Sequence, residues 1–138
     1  MKIYFPAAIR GGRRDIGIYR ELIRFLETYG PVLNKHVGDH NVKEIADKDE
    51  NPPYIYQRDM NWLKESDIVI AEVTTPSLGV GWEIGQAVNM GKKILCLYRG
   101  SHTLRLSAWV LGCPNLTLKT YLTIPEAQDI IKQFIHSL

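Results

Sequence analysis

The feature that most limits what this chain can fold into is the apolar run Ile-Val-Ile-Ala at residues 68–71. A strand with one face in water alternates apolar and polar residues, and this run does not. A short, β-branched run without alternation is typical of a strand that is buried on both faces of a parallel sheet. A second run of this kind follows at residues 93–98. We therefore expect helices on both faces of a parallel sheet.

Segments typical of strands and helices alternate along the chain. We expect strands at residues 2–6, 31–37, 68–71, 93–98 and 116–118, and helices at residues 14–29, 54–66, 80–90, 104–111 and 125–135. This alternation predicts an α/β three-layer sandwich around a five-stranded parallel sheet of order 2-1-3-4-5, as in flavodoxin-like and Rossmann-like folds. The polar segment at residues 38–53 is expected to be a long surface loop.

Length and composition favour one domain over residues 1–138 and limit its partners. A chain of 138 residues that is 45% hydrophobic matches the commonest size of a single domain, about 100–150 residues. With 17 basic and 15 acidic residues the net charge is only +2, which argues against a nucleic-acid partner. No stretch approaches the ~18 apolar residues of a membrane span. The two cysteines lack metal-binding spacing, and we expect a reduced, cytoplasmic protein.

The predicted strand order also predicts where a ligand binds. In such sheets the binding crevice lies at the carboxyl ends of the first and third strands, which lead here into glycine-containing loops at residues 7–12 and 73–81. Both loops precede helix N-termini, whose N–H groups favour an anion. Two interpretations remain for the polar residues: Arg10 and Ser77 bind that anion, or Arg10 is a solvated cation and Ser77 a turn residue.

Two carboxylates fall on helix faces that should point inward. Asp59 shares a face with Trp62 and Leu63, and Glu83 shares one with Ala87. Glu83 is expected in the first turn of its helix, where the helix dipole favours the ionised form. Because unpaired carboxylates are rarely buried, the pair points to acid–base or nucleophilic chemistry. The simpler alternatives are that Glu83 is an ordinary first-turn glutamate and that Asp59 caps a loop.

Other patterns argue against a cofactor or a metal. The glycines between residues 79 and 85 are spaced too widely for a dinucleotide fingerprint and follow the wrong strand. The sequence contains no nucleotide-binding P-loop and no HExxH zinc motif, and its four histidines are too scattered for a metal site. We predict no cofactor and no metal. His36, near the end of the second predicted strand, is predicted to contact the substrate.

Five segments, in order along nearly the whole chain, resemble one known family. They are IRGGR at residues 9–13, DMNWL at 59–63, DIVIAEVT at 67–74, PSLGVGWEIG at 76–85 and ILCL at 94–97. These segments are similar to the nucleoside 2-deoxyribosyltransferase family, and within it to the members that hydrolyse nucleotides. The block at residues 76–85 is the most specific of the five.

The resemblance implies a reaction and three catalytic residues. The reaction is hydrolysis of the N-glycosidic bond of 2'-deoxynucleoside 5'-monophosphates to free base and 2-deoxyribose 5-phosphate, without a cofactor. Glu83 would attack C1' as the nucleophile, Asp59 would give a proton to the departing base, and Tyr4 would orient Glu83. This is the logic of a retaining glycosidase, in which one of two carboxyl groups forms a covalent sugar ester.

The resemblance also implies how the 5'-phosphate is held. The contacts would come from Ile9, Arg10, Gly11, Ser77, Gly79 and Ser107. Ser107 would be donated across a homodimer interface formed by the helix that carries Trp109. Two alternatives stay open: transfer of the deoxyribosyl group to a second base through the same intermediate, and a nucleotide-binding module without catalysis.

Overall fold

The structure is a computed structural model and describes residues 1–9, 15–39, 51–101 and 105–138. Within these ranges four strands form one parallel sheet in the order β1 (Ile3–Tyr4), β2 (Ile68–Glu72), β3 (Lys93–Arg99) and β4 (Thr117–Tyr121). The α-helices of the same ranges are α1 (Ile16–Leu26), α2 (Pro52–Glu65), α3 (Leu78–Asn89), α4 (Ala108–Gly112) and α5 (Ile124–His136). A 3-10 helix covers Lys35–Gly38. Most of the loop predicted at residues 38–53 lies outside the described residues.

The position of β2 in the sheet explains its sequence. All of its residues are buried, and it pairs in parallel with β1 on one side and β3 on the other. Ile68 and Ile70 belong to the apolar core on one face of the sheet, whereas Val69 and Ala71 belong to the core on the other. Because successive side chains point to opposite faces, a strand covered on both sides needs apolar residues throughout.

Amphipathic helices supply the two covering layers. Residues of α1 and α5 complete one core, and residues of α2 and α3 complete the other. In α3 the buried residues Val80, Ile84 and Ala87 follow helical spacing and pack in the same core as Val69. In the part of the chain that the structure describes, none of the helices is long and apolar enough to cross a membrane.

The prediction of a five-stranded sheet of order 2-1-3-4-5 is wrong. The segment at residues 31–37 makes a single β-bridge, from Val32 to Ile3. Beyond this bridge the buried side chain of Asn34 accepts a hydrogen bond from the Phe5 N–H and donates one to the Phe5 carbonyl, each at 2.8 Å. This amide satisfies the two backbone groups that a neighbouring strand would otherwise satisfy. The chain can therefore turn into the 3-10 helix instead of extending the sheet.

The start of α3 also differs from the prediction. The helix begins at Leu78 and not at residue 80, because Ser77 is its N-cap and accepts a hydrogen bond from the Val80 N–H at 3.2 Å. Glu83 therefore lies in the second turn. The expectation that it sits in the first turn, where the helix dipole favours the charged form, is wrong.

Candidate active site

Two adjoining cavities lie beside the carboxyl ends of β1 and β2. The larger, of about 480 Å³, is lined mainly by residues of α2 and α3. The smaller, of about 300 Å³, reaches from the end of β1 to the N-terminus of α3. Both volumes are of the order found for small-molecule sites, roughly 300–1,000 Å³. The residues that line both cavities are Tyr56, Asp59, Gly79 and Glu83.

A hydrogen bond between β1 and α3 orients the Glu83 carboxylate. The Tyr4 hydroxyl donates to Glu83 Oε2 at 2.5 Å. Tyr4 is buried in the short strand that pairs with β2, so its phenol has little freedom to move. The strand therefore fixes one carboxylate oxygen, and the other remains directed at the cavities.

The surroundings of Glu83 shift its proton affinity to the neutral range. Burial raises the pKa of Glu83 from 4.5 to about 7, the hydrogen bond from Tyr4 opposes this rise, and the nearby Asp59 charge adds to it. Burial and the same two carboxylates raise the pKa of the Tyr4 phenol. Tyr4 therefore remains a hydrogen-bond donor at neutral pH, while Glu83 is poised to gain or lose a proton.

Asp59 has a different environment from Glu83. Its side chain is 29% exposed, and its Oδ1 lies 2.9 Å from Nε of Arg58. The Arg58 guanidinium lies over the ring of Trp62, 4.9 Å from the ring centre, which limits where it can move. Tyr56 precedes Asp59 by three residues and so shares its face of α2. The site thus contains one partly buried carboxyl group, which accepts a hydrogen bond from Tyr4, and one that is ion-paired and partly hydrated.

The start of α3 shapes the smaller cavity. The Ser77 oxygen accepts the N-cap hydrogen bond, and its hydroxyl hydrogen can still be donated to another group. A Cβ atom at Gly79 would lie 3.8 Å from Ser77 Oγ and 3.9 Å from Glu83 Oε1. Because glycine has no side chain, the space between the serine and the carboxylate stays open. The partial positive charge of the helix N-terminus favours an anion there.

The structure brings most of the predicted residues together. Those that line one or both cavities are Tyr4, Ile9, Asp59, Ser77, Gly79 and Glu83. Arg10 and Gly11 lie outside the described residues, and their phosphate contacts stay predictions.

Two other predicted residues lie elsewhere. His36 is in the 3-10 helix, with its ring 5.8 Å from that of Trp62, and it lines a separate surface groove. Ser107 is the exposed N-cap of α4 and accepts from the Trp109 N–H at 3.2 Å. It lines a third groove, of about 670 Å³, that also reaches Ser77. The roles assigned to His36 and Ser107 stay predictions.

Sequence reasoning missed two residues of the site. Tyr56 lines both cavities, and its spacing of three residues from Asp59 was a signal that it shares that face of the helix. Arg58 pairs with Asp59, but neighbouring residues on a helix do not normally face each other, so spacing gave no signal for this pair.

Two carboxyl groups beside the carboxyl ends of parallel strands form an arrangement that a glycosidic-bond hydrolase can use. Comparison with known proteins gives the family. The model of the nucleoside 2-deoxyribosyltransferase family matches residues 3–123. This chain belongs to that family, as its sequence motifs indicated.

Individual relatives match over nearly the full length of this chain. A 5-hydroxymethyl-dUMP N-hydrolase of Esox lucius is 49% identical, over 100% of this chain and 98% of its own length. A putative 2'-deoxynucleoside 5'-phosphate N-hydrolase 1 of Nematostella vectensis is 45% identical, over 99% and 95%. The solved structure of the Clostridium botulinum CMP N-glycosidase BcmB matches with a TM-score of 0.70 over 97% of this chain and 99% of that one. At 23% identity this last match shows a shared fold.

Replacing Glu83 with glutamine should stabilise the protein above neutral pH and change little in acid. The unfolded chain loses the Glu83 proton near the ordinary pKa of 4.5, whereas the folded protein keeps it up to about 7. The wild type therefore loses stability as the pH rises between these values, and a neutral amide does not. Urea unfolding at about pH 4 and about pH 8 measures the difference.

The exposed Glu21 of α1 gives the matched control. Glu21→Gln should change stability by less than about 0.5 kcal/mol at either pH, as is usual for surface substitutions. If Glu83→Gln had the same stability as the wild type at both pH values, the pKa of Glu83 would not be raised in the folded protein.

Proposed function

We propose that this protein hydrolyses the N-glycosidic bond of 2'-deoxynucleoside 5'-monophosphates, releasing a free base and 2-deoxyribose 5-phosphate. One observation carries the proposal: Asp59 and Glu83 line two adjoining cavities. A molecule that fills both cavities places its middle against both carboxyl groups. Relatives of 45–49% identity whose names specify N-hydrolysis of deoxynucleotides support this choice of substrate.

The two cavities suit the two ends of a nucleotide. We assign the phosphate to the smaller cavity, where the Ser77 hydroxyl and the N-terminus of α3 supply hydrogen-bond donors. The predicted contacts of Ile9, Arg10 and Gly11 would complete its binding. We assign the base to the larger cavity, which has an apolar lining that includes Tyr56, Met60, Leu78 and Trp82. This arrangement leaves C1' of the sugar between the carboxyl groups.

The reaction then has two steps that use the same two carboxyl groups. In the first, a Glu83 oxygen bonds to C1', the bond from C1' to the base breaks, and Asp59 gives its proton to the departing base. In the second, water attacks C1', its proton passes to Asp59, and Glu83 leaves as a carboxylate. The products are the base and the sugar phosphate, and both side chains return to their starting states.

The first step needs a charged Glu83 and a protonated Asp59. In the free protein burial favours the neutral form of Glu83. We infer that substrate binding favours the charged form of Glu83, which the first step uses. The rate should therefore fall in both acid and alkali, with apparent pKa values that belong to the pair.

Substitutions of the two carboxyl groups should separate their roles. Glu83→Gln should lower kcat by about 10³-fold or more, because it removes the group that forms the bond to C1'. Asp59→Asn should lower kcat by about 10²-fold for bases that leave poorly, and much less for bases that leave without a proton. Release of base from a panel of deoxynucleoside 5'-monophosphates measures both effects.

Glu21→Gln serves as the control and should keep wild-type kcat, because Glu21 is exposed on α1. A wild type that releases no more base than Glu83→Gln would contradict the proposed function. Adding excess free base tests the alternative of deoxyribosyl transfer. A new nucleotide among the products would show that a second base can replace water in the second step.

We further propose that the active protein is a homodimer that packs through α3 and α4. Trp82 is 66% exposed and Trp109 is 90% exposed, and both line a groove of about 840 Å³ between these helices. Gly81 and Gly85 face the same side of α3, and no atom lies within 4 Å of a Cβ added at either. Large exposed aromatic residues beside a flat helix face favour association with another protein surface. In such a dimer Ser107 of the partner subunit would reach the phosphate.

Co-expression of two variants with impaired sites tests whether Ser107 acts across the dimer. Glu83→Gln removes the nucleophile of one subunit, and Ser107→Ala removes the predicted phosphate contact of the other. If Ser107 acts in the partner's site, a mixed dimer contains one intact site, so co-expression in equal amounts should restore about one quarter of the wild-type sites. Turnover below KM measures the recovery. If Ser107 acts within its own subunit, no mixed site is intact and turnover stays at the average of the two variants.

We also propose that the protein acts in the cytoplasm. Both cysteines are free thiols: Cys96 is buried in β3, and Cys113 is only partly buried after α4. Free thiols are usual in a reducing compartment, where disulfides do not persist.

A further inference from the structure

Two buried carboxylates have no part in the reaction described above. Asp15 is 6% exposed and Glu72 is 1% exposed. Buried charges are costly unless other groups pair with them. Both belong to one hydrogen-bonded network at the carboxyl ends of β2, β3 and β4, and its members are Asp15, Glu72, Thr74, Thr75, Arg99 and Tyr121.

Asp15 joins three parts of the chain. It precedes α1, and its backbone carbonyl accepts hydrogen bonds from the first turns of that helix. One carboxylate oxygen lies 2.9 Å from Nη2 of Arg99, at the end of β3. The other accepts a hydrogen bond from the Thr75 hydroxyl at 3.2 Å. The beginning of α1 is thus attached both to β3 and to the loop that follows β2.

Glu72, the last residue of β2, holds the loop that follows β2 through Thr74. Its carboxylate accepts hydrogen bonds from the Thr74 N–H at 2.7 Å and the Thr74 hydroxyl at 2.9 Å, and from the Tyr121 hydroxyl of β4. The Thr74 oxygen in turn accepts from the Arg99 N–H at 2.8 Å. Arg99 is therefore linked to both carboxylates. Its guanidinium pairs with Asp15, and its backbone N–H donates to Thr74, which in turn donates to Glu72.

The network lies beside the loop that leads from β2 to Ser77. Thr75 stands two residues before Ser77, the N-cap of α3, and Asp15 attaches this loop to the beginning of α1. Such an ion pair adds little net stability, because burying the charges costs about as much as pairing them returns. It does fix geometry, and a phosphate-binding group that is displaced from its ligand binds that ligand less tightly.

We propose that Asp15, Thr75 and Arg99 are positioning residues that hold the loop after β2, and with it Ser77 at the start of α3, in the place needed to bind a phosphate group. They act through this loop and do not contact the substrate. This inference rests on the proposed function, because it assigns the network to the phosphate end of the same site. Loss of the network should weaken phosphate binding and leave the carboxyl groups that act on C1' in place.

The test uses Asp15→Asn and Thr75→Val, which keep the shape of each side chain, together with Arg99→Lys as the variant that keeps a charge. Asp15→Asn should raise the KM for deoxynucleoside 5'-monophosphates about tenfold, while kcat changes by less than about threefold. The dissociation constant of inorganic phosphate should also rise about tenfold.

Thr75→Val should change these constants in the same direction but by a smaller factor. The double variant should be no worse than Asp15→Asn alone, because both changes break the same link. Arg99→Lys should lie between the wild type and Asp15→Asn.

Ser66→Ala controls for a loss of stability alone. Ser66 is buried, and its hydroxyl donates a hydrogen bond to the Leu63 carbonyl at 2.7 Å. It precedes β2 and so lies at the opposite end of this strand from the loop that leads to Ser77. The Ser66→Ala substitution should lower the Tm without changing phosphate binding. The inference is overturned if inorganic phosphate does not bind the wild type, or binds Asp15→Asn and Thr75→Val as it binds the wild type. If no monophosphate is cleaved but phosphate binds and these variants weaken it, the proposed function fails and the inference stands.

Discussion

The hydrogen bond from Tyr4 to Glu83 is the contact on which the rest of the site depends. It joins a buried strand to the helix that follows β2, and it holds a carboxylate in a place where water solvates it poorly. In the free protein this placement is unfavourable, as the pKa of about 7 indicates. In the proposed reaction it would become an advantage, because a carboxylate in a less polar environment attracts the positive charge that develops at C1' more strongly.

The proposed division of roles between the two carboxyl groups rests on their different surroundings. Glu83 has a buried hydrogen-bond donor beside it, whereas Asp59 has a guanidinium partner and contact with water. Two acids with different environments can act as nucleophile and proton donor within one site. At the proposed phosphate end, Ser77 and the start of α3 offer hydrogen-bond donors, and the contacts among Asp15, Thr75 and Arg99 fix the loop that precedes them.

Local patterns predicted much of this arrangement. The apolar run of β2 predicted the buried strand, and helical spacing predicted the inward faces of Asp59 and Glu83. That residues 31–37 make one β-bridge and no strand could not be foreseen, because the Asn34 side chain, and not a strand backbone, satisfies the N–H and carbonyl of Phe5. The sequence could have predicted the earlier start of α3, because Ser77 precedes it and serine is a favoured N-cap. The pairing of Asp15 with Arg99 joins residues that are 84 positions apart, a distance over which spacing carries no information.

A covalent bond between Glu83 and the sugar can be detected by peptide mass spectrometry of protein quenched during turnover of a deoxynucleoside 5'-monophosphate. We expect a 2-deoxyribose 5-phosphate group esterified to Glu83, and no such group in Glu83→Gln. A sugar attached to Asp59 instead, or turnover that continues at the wild-type rate in Glu83→Gln, would show that Glu83 is not the nucleophile.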